Sequence, residues 1–320
     1  MKAKKGFFNI IVFLIACAFF CTGFFSCLLS AKASENDEGM SEKTDAGDDY
    51  EFPESLKAAR ELADSIEEEY GVRILISGQC EGVDTFEEYE ITTTEIYADK
   101  NKSGDEAPDS GGFDEAKAIT DALDLLEKVL SDYPDGFFRQ IKCRGTKAYG
   151  IRFLFIAGLS GDVTAAGLES EGEDSFDIAL NVTATNLEVT MNHEIFHAIE
   201  GEIQKKDRRI FSDGEWNKLN PEGVVYAGSA ANFGILTGYT FTKDTSREIY
   251  YYDPYSRTSA KEDRARIFEC AMCPEIRPSS EFFENIHVNA KLKYICETIR
   301  EAFDTTGWEE PLKWESFVIW

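Results

Sequence analysis

Two of the three histidines in this 320-residue chain stand four positions apart, His193 and His197, with Glu194 directly after the first. The run reads His-Glu-Ile-Phe-His. A spacing of four puts both imidazoles on one face of a helix, where they can reach a single metal ion. The glutamate then lies beside the next coordination position, where its carboxylate can take a proton from a metal-bound water. The bland reading of the same letters is two surface histidines flanking an ordinary acid. The metal reading constrains the fold more tightly. It demands one helix carrying both imidazoles and a second element that delivers a third ligand while leaving a position open for water.

The N-terminus reads as a targeting segment. Lys2, Lys4 and Lys5 precede an apolar run from Gly6 to Ser30, and Ala31-Lys32-Ala33 has the small-x-small pattern of a signal-peptidase site. Leu14-Ile15-Ala16-Cys17 also fits a lipobox, with Phe25-Ser26-Cys27 a weaker match, and an uncut run of this length suffices to span a bilayer. All three versions export the chain, to the cell surface or beyond, and the basic flank keeps the start of the chain inside. Residues 34–54 are acidic and poor in apolar side chains, the composition of a disordered spacer. Residues 55–320 remain for one folded domain.

Without residues 1–33 the chain carries 29 Lys and Arg against 60 Asp and Glu, a net charge of −31. Such a balance argues against nucleic acid or anionic lipid as a partner and leaves membrane contact to the N-terminal segment alone. Beyond the leader stand Cys80, Cys143, Cys270, Cys273 and Cys296. The number is odd, so at least one is unpaired within the chain, and spacing does not fix the rest. Cys270-Ala-Met-Cys273 has the form of a redox or metal half-site. With no second C-x-x-C and no βαβ context, buried thiols or one disulfide is the expected role.

Periodicity predicts helices over Ser55–Tyr70 and Asp114–Asp132, the second with Ile119, Ala122, Leu123, Leu126, Val129 and Leu130 on one stripe. Strands are expected at Val72–Ile76, Phe86–Tyr97, Tyr149–Leu159 and Phe176–Val182, with loops over Asp99–Gly112 and Ser160–Ser175. The last strand alternates and reads as half-exposed, at a sheet edge fit to receive an extended peptide. Thr185 and Glu188 have the spacing of a capping box for the His193 helix, with Gly201 as its stop. A final helix is expected over Asn289–Phe303.

The third metal ligand is open between several residues. His287 is the remaining histidine. Glu262 is a second option, although Ser259-x-x-Glu262 is also a capping box in which the acid would serve only the backbone. Glu269 lies two turns further along the same face. Tyr255 ends an aromatic run, Tyr250-Tyr251-Tyr252-Asp253-Pro254-Tyr255, that would also suit a stacked surface cluster.

The segment Tyr255, Arg257-Thr258, Glu262, Phe268 resembles the second zinc helix of gluzincins related to the anthrax lethal factor catalytic domain and the Pro-Pro endopeptidases. The chain is also similar to a group of exported bacterial proteins assigned as zinc metallopeptidases, through Trp216-Asn217-Lys218-Leu219-Asn220-Pro221-Glu222-Gly223. The detailed match covers roughly residues 114–270. The resemblance implies an α+β, zincin-like domain in which His193, His197 and Glu262 hold Zn2+, Glu194 is the general base and Tyr255 donates to the oxyanion. It implies zinc-dependent hydrolysis of a peptide or protein substrate. The alternative is a non-catalytic, zinc-containing surface-binding lipoprotein. Three departures stand out: Phe196 where a small residue is common, Glu200 in place of an Asp three residues past the second histidine, and Arg266 where the pattern has a second acid.

Overall fold

The computed structural model describes residues 50–86, 89–102, 113–143, 149–160, 166–172, 174–228, 239–242 and 248–320. The leader, its candidate lipidation sites Cys17 and Cys27, and residues 34–49 of the acidic spacer lie outside the described residues. The fold is α+β. Among the described residues, eight helices surround one five-stranded mixed sheet.

Helix α1 (Lys57–Tyr70) ends at Gly71, whose φ of 73° supplies the left-handed residue of its C-terminal turn. The chain turns there into β1 (Arg73–Ile76). The expected strand over 86–97 shrinks to β2 (Glu90–Thr93), and Thr94 opens α2 (Thr94–Lys102), which occupies the start of the expected loop. Residues 103–112 of that loop lie outside the described residues. Helix α3 (Glu115–Ser131) follows, capped by Asp114, and buries the anticipated stripe. Strand β3 (Ile151–Ser160) is the sheet's spine. It runs parallel to β1 over its first half and antiparallel to β2 over its second, with β5 (Phe176–Asn181) parallel along its other side.

Strand β4 (Gly167–Glu171) corrects two expectations. It lies within the acidic stretch read as a loop, and among the described residues it pairs antiparallel with β5 only. Consequently β5, expected at the edge, is an interior strand with all six residues buried. The cause is Asp177, the polar side chain that made the segment look half-exposed. It is fully buried because Arg152 Nε (2.9 Å), Ser175 Oγ (2.6 Å) and the Thr85 hydroxyl all donate to it.

One face of the sheet (Ile74, Ile76, Phe153, Phe155, Phe176, Ile178, Leu180) joins α1, α3 and α4 in the main core. The other (Leu75, Leu154, Ile156, Ala179) is covered by Cys80, Val83 and Phe86. Helix α4 (Leu187–Lys206) crosses under the sheet. The Thr185–Glu188 capping box does not form. Asn186 occupies the cap with φ 60° and no side-chain bond, while the Glu188 carboxylate accepts from Lys128 Nζ at 3.1 Å. Nor does Gly201 end the helix. It faces Phe176, where an added Cβ would lie 2.5 Å from the ring, so this glycine serves close helix–sheet packing rather than termination.

Short α5 (Asp213–Asn217) leads towards α6 (Ala260–Met272), α7 (Ser279–Phe283) and α8 (Ile286–Ala302), the last beginning three residues before expectation. Helices α4 and α6 meet through Phe196 and Phe268, whose ring centroids are 4.8 Å apart. That contact accounts for an aromatic at 196. All five cysteines outside the leader are free thiols, four buried and Cys143 half-buried. Cys270 and Cys273 are core residues, and no disulfide links them.

Candidate metal centre

Helix α4 presents His193 and His197 on one face, as the four-residue spacing requires. Helix α6 brings Glu262 to them. At its start the Ser259 hydroxyl accepts the Glu262 backbone N–H (3.1 Å), so half of the capping box exists. The Glu262 side chain does not complete it. Its carboxylate lies 2.9 Å from His193 Nε2 and 3.6 Å from His197 Nε2. The two Nε2 atoms are 3.2 Å apart. Ligand atoms of all three residues fall within 4.8 Å of one another, and each residue is buried. His287 is not brought to the cluster, because it stacks on Tyr250 at 4.1 Å and meets its hydroxyl.

Glu269, the rival ligand, has a different task. Its Oε2 sits 2.9 Å from His193 Nδ1, while Oε1 accepts from Arg266 Nη1 and Arg277 Nη2, both at 2.7 Å. Two carboxylates two turns apart on α6 therefore address the two nitrogens of one imidazole. A neutral ring has a single proton, and donating it from Nδ1 to Glu269 leaves a lone pair on Nε2 facing the Glu262 carboxylate. Three electron-rich atoms then converge with no proton between them. That donor set, two imidazole nitrogens and one carboxylate in a buried site, can hold a metal ion.

Without a bound cation, a proton on His193 meets the same demand for positive charge, and a metal ion would displace it. Burial lowers the His193 pKa, but its bonds to Glu262 and Glu269 outweigh burial and raise it to about 10. Burial lowers His197 to about 3, the neutral form a ligand needs. For Glu262 burial opposes ionisation, yet the two histidines hold its pKa well below the usual carboxylate range. Glu269 is likewise penalised by burial and is held at about 2, chiefly by Arg266 and by its bond to His193.

Glu194 is buried beside the cluster, and burial pushes its pKa up to about 7. Strand β4 passes close by: a Cβ added at Gly167 would come 3.2 Å from Glu194 Cγ and 2.5 Å from Thr190 Cγ2. Only glycine lets the sheet edge approach the carboxylate this closely. Tyr255 is buried, not a surface aromatic, with its ring centroid 6.0 Å from that of His193. Arg266 lies over the Tyr255 ring at 4.6 Å. The arginine found where the resemblance has an acid thus supports Glu269 on one side and Tyr255 on the other. Glu200 reaches neither histidine. Its carboxylate is engaged by Arg264 (Nε 3.0 Å, Nη2 2.6 Å), a buried pair joining α4 to α6.

Two further features surround the site without having been legible beforehand. Next to Glu262, Asp263 Oδ2 accepts from Trp216 Nε1 (2.8 Å), Tyr226 OH (2.7 Å) and Lys291 Nζ (2.6 Å). That explains the tryptophan of the 216–223 segment, since it anchors α5 to the ligand helix. The other is Lys261, whose Nζ donates to Glu169 on β4 (2.9 Å). The sequence signal for both is adjacency to Glu262 alone.

No family model, curated protein or solved structure matches the chain.

Because Glu269 fixes the His193 tautomer, Glu269→Gln is expected to weaken metal affinity by roughly 10–100-fold. Competition against a chromogenic chelator measures it, and unchanged affinity would remove the orienting role.

Proposed function

We propose that the chain is a zinc-dependent peptidase with a zincin-like catalytic domain, acting at the cell surface or outside the cell. The observation that carries the reading is Glu194: a buried carboxylate beside a three-residue metal cluster, not spent as a ligand and lying directly under a sheet edge. A purely structural metal site has no use for such a group. Two imidazoles and one carboxylate suit zinc, and His193, His197 and Glu262 would hold it. When bound, zinc supplies Lewis acidity towards water and the scissile carbonyl.

The remaining steps belong to the chain. Strand β4, the end strand of the sheet among the described residues, runs beside Glu194 and is where an extended peptide would be laid. Glu194 takes a proton from the attacking water, and the same carboxyl returns it to the departing amine. Tyr255 donates its hydroxyl to the oxygen that gains charge. The Arg266 guanidinium lies over its ring and His193 stands beside it, which keeps the ring next to the cluster. Three ligands from the chain would leave a coordination position for the reacting groups.

The test is metal analysis combined with a peptide library. The purified protein is expected to carry about one zinc per chain and to cleave extended peptides. Chelation should abolish cleavage and added zinc restore it, while Glu262→Ala should lose metal. A zinc-loaded protein that cleaves nothing would favour the surface-binding alternative, and Glu262→Ala with undiminished zinc would remove Glu262 as a ligand.

A further inference from the structure

The ion pair between Lys261 and Glu169 bridges the two elements that border the metal cluster. Lys261 immediately precedes the ligand residue Glu262 on α6, and Glu169 lies two residues beyond Gly167 on β4. Alternation along a strand places 167 and 169 on the same face, the one that rests on Thr190 and Glu194. The ammonium is therefore held between the helix that carries Glu262 and the strand that passes Glu194.

The partners are unequally accessible. The Glu169 side chain is 5% exposed and that of Lys261 46%. An ammonium carries three protons, and Glu169 accepts one of them. Of the pair, the lysine is thus the side chain an arriving molecule can touch, and the acid that holds it is covered. The setting makes that charge matter, because the chain has a formal net charge of −27 and its general field repels acidic ligands.

We propose that Lys261 is a specificity-determining residue that selects an acidic side chain, Asp or Glu, close to the scissile bond of a peptide lying along β4. Glu169 is a positioning residue that aims the ammonium. This rests on the peptidase reading above. The substrate class it defines is an extended peptide bearing a carboxylate near the bond to be cut.

Matched peptides differing in one Glu or Lys are the probe, with two readouts. In cleavage by the zinc-loaded protein, kcat/KM is expected to favour the Glu peptide by about threefold to tenfold, the scale of a partly exposed ion pair. Lys261→Met should bring the ratio near one and Lys261→Glu should invert it, with zinc content unchanged. Because Lys261→Met leaves Glu169 without its cation, the double variant Lys261→Met/Glu169→Gln guards against a displaced β4. In binding to Glu194→Gln, fluorescent forms of the same peptides should show the same order, and the difference should shrink in high salt. Equal binding of the two peptides, or a preference for Glu surviving in Lys261→Glu, overturns the assignment. Selective binding without cleavage by wild type instead leaves the role of Lys261 standing and defeats the peptidase reading.

Discussion

Glu194→Gln should leave zinc content unchanged and lower kcat/KM for a cleaved peptide by about 10²–10⁴-fold, the usual contribution of a general base. The substitution is nearly isosteric, so Gly167 and Thr190 still pack against the same atoms. It removes only the capacity to accept and return a proton. The ligand set is not touched, since Glu194 is no member of the cluster of His193, His197 and Glu262. Metal analysis and kinetics on one preparation give the answer. A zinc-loaded Glu194→Gln protein working at the wild-type rate would show that the proton goes elsewhere.

The largest loss of stability is expected from Lys291→Met. Lys291 and Asp263 are both fully buried, and the same lysine donates to the Tyr250 carbonyl at 2.8 Å. Burial pushes the Lys291 pKa down and that of Asp263 up, each towards its neutral form, with the partner opposing. Removing one member of such a pair strands the other charge in the core, at a cost of about 3–5 kcal/mol. Urea unfolding of metal-free protein measures the loss. A second variant, Lys291→Met/Asp263→Asn, should recover part of it, because the amide oxygen can still accept from Trp216 and Tyr226 without a charge. A loss below about 1 kcal/mol in the single variant would mean that water reaches Asp263 when Lys291 is gone.

The H-E-x-x-H spacing was legible because a helical period of four depends on nothing outside the helix. Glu262 was legible only as one of several possibilities, and the reason is specific. Its backbone belongs to a cap with Ser259 while its carboxylate meets the histidines, so the local spacing answered to two different surroundings at once. Glu269 looked like a competitor because it shares a face with Glu262. Only the tertiary placement of one imidazole between the two acids separates their tasks.

The mistaken elements share a cause. Phe176–Val182 was misplaced at an edge because the buried Asp177 is paired with Arg152, distant in sequence. Strand β4 was hidden because an edge strand that is only partly buried has little apolar alternation to display. Gly201 was taken for a stop, and the ring of Phe176 that requires it lies 25 positions earlier. Local periodicity marked α1 and α3 well but read the residues of α2 as strand and loop. It could not anticipate which polar groups would find partners across the fold.

Strand β4 is fastened twice, at Gly167 against α4 and at Glu169 to α6. In the proposed reading, a border held at two points stays beside Glu194 and favours a guest that lies flat along it. A single stretched segment can add alongside a strand, which a helix or an already paired hairpin does less readily. Shape would then sort candidates before any side chain is inspected, directing the proposed chemistry to tails, linkers and already unravelled chains.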